Sequence, residues 1–386
     1  MNTQRLNPAL LSSMLETINC EPMGKKIMHA KGEVYTFLLQ SLTITQLQIL
    51  KQELVSVGGD LATPREAILC EPKSYNALLI ATKSQLLRVI DKCAMQPFGL
   101  KALAKTLASH LNAKQYKPRL MAIINLTPDS FHADSRHSPQ EAIAKIQNLI
   151  AMQAPLIDIG AASSRPGSEL IDYKVEIERL SEVCAYIKHH QLYKHTTFSI
   201  DTYNPQTADF ALDSGFRIVN DVSGLADEKM FEVIGAFGAD VVLMHSRGTP
   251  KNMAQLTEYS DLFGEIDMFF ERKIAKLRDC GAGEIILDIG FGFAKSITQN
   301  LSLIQHLSHF KHFGLELLVG ASNKSTIGAI THQDNTANRL SGTLSLHLLA
   351  LQNGASILRV HNYQEHLDML RVYEALSQDI SSTKEY

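Results

Sequence analysis

From residue 119 onward, this 386-residue chain repeats one pattern eight times: a short apolar run, a polar end, then an amphipathic stretch. The runs fall at 119–125, 155–160, 196–201, 216–221, 239–245, 284–289, 315–321 and 355–361. Continuous apolar runs of strand length, separated by helical periodicity, predict a parallel sheet covered on both faces. The intervening stretches (139–152, 174–190, 205–214, 227–237, 260–280, 298–310, 334–352 and 364–377) supply the helices. The span 119–386 matches the roughly 250 residues of a (β/α)8 TIM barrel. A doubly wound open sheet is the alternative, and the lack of G-x-G-x-x-G after the first run counts against it. Nearly every run ends in a residue able to do chemistry: Asn125, Asp158, Asp201, Asn220 with Asp221, His245, Asp288, Ser322 with Lys324, and Arg359 with His361. Polar groups gathered at strand C-termini are the layout of a barrel enzyme.

Composition narrows the partners. Thirty-seven Lys and Arg against forty Asp and Glu leave a formal charge of −3, and there is no Trp. No basic surface or stacking platform for nucleic acid is expected, so a small-molecule substrate is. No apolar run approaches the ~20 residues of a membrane helix. The N-terminus lacks a basic stretch leading into an apolar core, so a cytoplasmic location is expected. Five scattered cysteines without a C-x-x-C pair fit reduced, mostly buried thiols.

A polar stretch ending at Pro118 precedes the first barrel strand, dividing the chain into 1–115, a small α/β N-terminal domain, and 116–386, the barrel. Upstream, strands are expected at Val34–Leu39, Glu66–Cys70 and Ala77–Ala81, with helices at Thr43–Val57, Lys83–Ala94 and Leu100–Leu111. No catalytic constellation stands there. A packing, oligomerisation or regulatory module is the expectation.

Three groups of residues bear on chemistry. Arg359-Val-His361 ends the eighth run and Asn125 the first, its neighbour in a closed barrel. The planar donors of Arg suit phosphate, although an Arg–carboxylate pair closing the barrel explains the residue equally well. Asp201, Asn220, Asp288 and Lys324 form a second group. Two carboxylates, an amide and an ammonium match a flat heterocycle bearing several N–H donors and one carbonyl. The third group is Ser163-Ser-Arg-Pro-Gly167, a substrate-contacting loop or a plain surface turn. Fifteen His residues include no H-E-x-x-H pattern.

Taken in order, the motifs resemble the dihydropteroate synthase family of pterin-binding barrels. The likeness runs through Ile124-Asn-Leu-Thr-Pro-Asp-Ser-Phe131, Ile157-Asp-Ile-Gly160, Ser164-Arg-Pro-Gly167, Ser199-Ile-Asp-Thr202 and Val219-Asn-Asp-Val-Ser-Gly224. It continues through Leu287-Asp-Ile-Gly-Phe-Gly-Phe293, Val319-Gly-Ala-Ser-Asn-Lys-Ser325, Arg339-Leu-Ser-Gly342 and Arg359-Val-His361. The resemblance implies that Asp201, Asn220, Asp288 and Lys324 hold a pterin, with Arg359 stacked on its face. It places a diphosphate at Asn125, Arg359 and His361, with Mg²⁺ on Asn125. It puts p-aminobenzoate near the loops of Thr127, Pro128, Asp129 and Phe131 and of Ser164, Arg165 and Pro166, with Phe293 and Ser325. The implied reaction joins 6-hydroxymethyl-7,8-dihydropterin diphosphate to p-aminobenzoate, in a homodimer.

The chain departs from the family pattern at Ala162, Ser164, Ile289, Asn323 and Asn362. Asn323 removes a cation beside the implied pterin and p-aminobenzoate sites. Two other readings of the barrel stand beside the synthase: a methyltetrahydrofolate-binding corrinoid methyltransferase, and a non-catalytic pterin-binding paralogue.

Overall fold

A computed structural model describes residues 3–126, 138–162 and 168–377. The chain forms two compact units. One comprises residues up to 113 with 312–314 and the segment from 373; the other holds 114–311 and 315–372.

The first unit is built on a three-stranded antiparallel sheet, β1 (Val34–Leu42), β2 (Asp60–Ala62) and β3 (Tyr75–Thr82), in the order β1-β3-β2. Period-two alternation sends Tyr75, Ala77, Leu79 and Ala81 of β3 to the core and Leu78 and Ile80 outward. Helices Ile44–Ser56, Lys83–Ala94 and Leu100–Leu111 cover the inner face, burying Leu47, Leu50, Leu54, Leu86, Val89 and Leu107. The first two begin in reciprocal caps: Thr43 with Gln46, and Thr82 with Gln85.

Two helices (Leu11–Thr17 and Pro22–Gly32) and the short β2 lie outside the sequence expectation. The strand expected at Glu66–Cys70 is a 3-10 turn over Arg65–Leu69. Only Ala67 of that run is buried, while Ile68 and Leu69 are 82% and 66% exposed. Cys70 sits at φ +54, which ends any extended pairing. The thiols are all free, but only Cys93 and Cys184 are buried; Cys70 is exposed, which corrects the mostly buried expectation.

The second unit is the (β/α)8 barrel, eight parallel strands closed in sequence order: β4 (Arg119–Asn125), β5 (Leu156–Gly160), β6 (Thr197–Asp201), β7 (Ile218–Asp221), β8 (Asp240–Met244), β9 (Ile285–Asp288), β10 (Glu316–Val319) and β11 (Ile357–Val360). β11 pairs with β4 to complete the ring. One buried apolar layer fills the interior: Met121, Leu156, Ile218, Val242, Ile286, Leu318 and Ile357. No helix among the described residues is long and apolar enough to cross a membrane.

Candidate active site

That apolar layer fixes the site. Residues two positions further along a strand face the same side. The next layer up is therefore Ile123, Asp158, Asn220, Met244, Asp288, Gly320 and Arg359, and the interior turns from hydrocarbon to charge in one step. Asp201 belongs to it from β6, where its register partners are Gly160 and Asn220. Asp221, by the same parity, faces the opposite side from Asn220. Its Oδ1 accepts the Ser223 N–H at 2.7 Å, outside the polar layer.

Asp158 is the hub. Its Oδ2 accepts from Asn220 Nδ2 at 3.1 Å and from Arg359 Nε at 2.6 Å. Arg359 Nη2 donates to Asp201 Oδ2 at 2.5 Å. The Arg–carboxylate pair weighed from sequence is thus present, through Nε and Nη2, and Nη1 has no hydrogen-bond partner among the described residues. Burial pushes Asp201 up to about 7 against the pull of Arg359, with Asp158 adding to the rise. Asp288 is also raised by burial, although its Oδ1 accepts the Gly290 N–H at 2.7 Å. Gly320 borders this group: a Cβ there would lie at ordinary contact distance, 3.7 Å from Arg359 Cβ and 4.0 Å from Asp288 Oδ2.

Lys324 stands at the N-terminus of helix Ser325–Thr331, with Ser325 exposed beside it. Its Nζ lies 3.9 Å from the Phe293 ring centroid. Burial lowers Lys324 to about 8, opposed by Asp288. The loop carrying Phe293 needs glycine twice. Gly290 has φ +65, and a Cβ there would fall 1.9 Å from His245 O; Gly292 has φ +81 and would meet Lys324 Cδ at 3.1 Å. Asn323 adopts φ +58, a left-handed conformation that Asn tolerates well. Its carbonyl accepts from Arg339 Nη1 at 3.0 Å, so a guanidinium stands close by.

On the anion side, Asn125 ends β4 half-buried, and β11 is its neighbour. Past the end of β11, His361 gives its backbone N–H to Ser322 Oγ at 3.3 Å, and its Nδ1 lies 3.0 Å from the same oxygen. Thr127, Pro128, Asp129, Phe131, Ser164, Arg165 and Pro166 lie outside the described residues.

Two supports escaped the sequence reading. Buried Lys295 Nζ donates to the carbonyls of His245, Gly290 and Phe293 at 3.3, 3.1 and 3.0 Å and lies 3.1 Å from His245 Nδ1. Burial lowers it to about 7. Buried Glu176 collects Thr202, Asn204 and Thr207 on Oε2 at 2.9, 2.8 and 2.8 Å, bracing the turn that follows Asp201. A lone Glu in a helix and a Lys in a loop carry no local signal of either role.

The family model for pterin binding enzyme matches residues 121–361. The Helicobacter pylori bifunctional dihydropteroate synthase/dihydropteroate reductase is 50% identical, over 98% of this chain and 100% of that one. The structure of the Yersinia pestis dihydropteroate synthase with a sulfonamide drug complex is 32% identical, with TM-score 0.63, covering 67% of this chain and 94% of that one. The Thermus thermophilus dihydropteroate synthase in complex with 4-aminobenzoate is 32% identical, with TM-score 0.59, over 67% and 95%. With the polar layer in place and relatives of this identity, the chain belongs to the dihydropteroate synthases of the pterin-binding enzyme family.

Proposed function

We propose that the barrel condenses 6-hydroxymethyl-7,8-dihydropterin diphosphate with p-aminobenzoate, giving 7,8-dihydropteroate and diphosphate. The observation that carries this reading is the polar layer: Asp201, Asn220 and Asp288 on one barrel interior, with Lys324 at its rim. The carboxylates accept pterin N–H groups, the Asn220 amide both gives and accepts, and Lys324 donates to the ring carbonyl or nitrogen. In this reading Arg359 stacks on the ring and gives Nη1 to the leaving group, together with His361 and Asn125.

In the reaction, the arylamine nitrogen forms a bond to the pterin methylene carbon as the C–O bond to diphosphate breaks, the electron pair leaving with oxygen. The nitrogen then releases a proton to solvent or to diphosphate. Cationic donors at the leaving group and carboxylates at the electron-poor pterin stabilise the charge that develops. An arylamine is nucleophilic when neutral, so positioning against Phe293, Ser325 and the two loops replaces a general base.

Asn125 fits Mg²⁺, whose small hard ion takes few protein ligands and completes its shell with water and phosphate oxygen. Held there, Mg²⁺ would neutralise diphosphate charge. A homodimer and a cytoplasmic location complete the proposal.

The experiment is diphosphate release from the pterin diphosphate with Mg²⁺, with and without p-aminobenzoate, for wild type and Lys324→Ala. Arylamine-dependent release and dihydropteroate formation, lost in the variant, support the reading. A folded protein that binds pterin without turnover removes it.

A second activity is favoured by one observation: the Helicobacter pylori relative aligned across both units is described as a dihydropteroate reductase as well. We infer that this chain also adds two electrons and two protons to 7,8-dihydropteroate, with a reduced nicotinamide or a dihydroflavin as the co-reactant. Incubation of the full chain with either donor would give tetrahydropteroate; neither donor being oxidised removes the inference.

A further inference from the structure

Two buried histidines beneath the anion side form a line of hydrogen bonds in which every ring nitrogen has one role. His347 lies on helix Leu340–Gln352 and His366 on helix Tyr363–Ser377. The Ala321 N–H donates to His347 Nε2 at 3.1 Å. A backbone amide only donates, so Nε2 is bare and the proton of His347 is on Nδ1. That Nδ1–H faces His366 Nε2 at 2.9 Å, which must accept. His366 therefore carries its proton on Nδ1 and gives it to the Asn362 carbonyl at 2.6 Å.

No further proton fits. On His347 Nε2 it would point at the Ala321 N–H; on His366 Nε2 it would point at the His347 Nδ1–H. Burial lowers both rings, His366 and His361 adding to the effect at His347, while the Asn362 carbonyl and Glu365 oppose it at His366.

The two ends of this line flank one contact. Ala321 precedes Ser322, Asn362 follows His361, and Ser322 Oγ is the hydrogen-bond partner of His361. The line thus ties the segment after β10 to the segment after β11 on both sides of the Ser322–His361 pair. We propose that His347 and His366 are positioning residues for the diphosphate end of the site, setting Ser322 and His361 without touching either substrate. This rests on the diphosphate reading above.

The test uses the full chain and calorimetric titration with inorganic diphosphate and Mg²⁺. His347→Phe and His366→Phe keep an aromatic ring, though a larger one, and break the line. Each should raise Kd for diphosphate about tenfold, or ~1.4 kcal/mol, and raise KM for the pterin diphosphate in step. KM for p-aminobenzoate should stay within about twofold, since Phe293 and the two loops lie on other elements and Ser325 belongs to the helix that follows Lys324. In His347→Gln an amide oxygen accepts from Ala321 and an amide N–H reaches His366, so affinity should return to within about threefold of wild type.

In wild type, ¹⁵N spectra of labelled histidine should show both rings as neutral Nδ1–H tautomers across the range in which an ordinary histidine takes up its second proton. This spectrum decides the matter if the Phe variants do not fold. Unchanged diphosphate affinity in a folded Phe variant, equal losses for both substrates, a Gln variant no better than Phe, or a ring titrating near 6.5 each overturn the proposal. Wild type that binds no diphosphate removes the anion-site reading itself, and this inference with it.

Discussion

The two units solve burial in opposite ways. Every polar or charged side chain buried in the described residues lies between Asp158 and His366; the N-terminal unit buries none. Its interior is Leu, Val, Ala, Tyr75 and Cys93, and its polar contacts sit at caps and surface pairs. Burying a polar group costs free energy unless each partner is supplied, and charged groups cost more. A core of hydrocarbon needs no explanation beyond stability. Asp158, Asp201, Asn220, Asp288 and Lys295 in one barrel do, because hydrophobic residues of similar volume would fold it at least as well. The contrast separates a unit shaped by packing from one shaped by a ligand.

The sharpest way to break this contrast is Arg359→Met. The change strands Asp158 and Asp201 as neighbouring buried carboxyls and removes a leaving-group cation. Turnover should fall by about 10²–10³ or more, and stability by roughly 3–5 kcal/mol. Lys92→Met in the first unit removes a partly exposed pair with Glu53 and should cost less than about 1 kcal/mol. Denaturant melts of both, beside the diphosphate-release assay, make the comparison. Equal costs would mean that the barrel pair is no more than a surface bridge.

Next in size is the alkaline limb set by Lys324. A lysine lowered to about 8 is protonated, and able to donate, only below that pH. The kcat/KM for the pterin diphosphate should therefore decline through about pH 8, not near the ordinary value of ~10.4. Lys324→Ala should lower kcat/KM by about 10²-fold and lose this limb. A profile flat to pH 9.5 or so would place the lysine in water rather than in the site.

Much of this architecture was legible in the chain. The eight apolar runs gave strands at the right places because a strand buried on both faces needs no alternation to be seen. Asp201, Asn220, Asp288 and Arg359 were legible as strand ends. What they touch was not: Asp158 bonds Asn220 and Arg359, 62 and 201 residues away, through ring closure alone. Asp158 reads from sequence as one more chemically able run end, outside the group assigned to a ligand, yet it is the hub. Lys295 and Glu176 were hidden in part for the same reason: His245 reaches Lys295 from 50 residues away, and Thr202, Asn204 and Thr207 reach Glu176 from beyond β6. Glu66–Cys70 failed differently. A local apolar run read as strand, but Ile68 and Leu69 face solvent and β2 supplies the third strand with three residues.

The first unit can be tested without touching chemistry. Leu79→Ala empties a fully buried site on the central strand β3 and should destabilise that unit by about 2–5 kcal/mol. If the units divide the work as their interiors imply, synthase turnover per folded barrel stays within about twofold. Collapse of turnover with an intact barrel melt would give the leucine-rich unit a part in the synthase reaction.

The smallest effect comes from Asp221, the near neighbour of Asn220 that parity turns away from the polar layer. Burial raises its carboxyl to about 6, and its Oδ2 has no hydrogen-bond partner among the described residues. A raised folded value means the ionised form is disfavoured in the fold, so the cost is absent below the unfolded value of ~3.9 and complete above about 6. Asp221→Asn should then gain stability of about 1–3 kcal/mol at pH 8 relative to pH 4, with turnover within about twofold of wild type. Asp288→Asn, on the inward parity, should instead lose about 10²-fold in turnover. If the two substitutions cost the same turnover, strand parity does not decide which carboxylate meets the substrate.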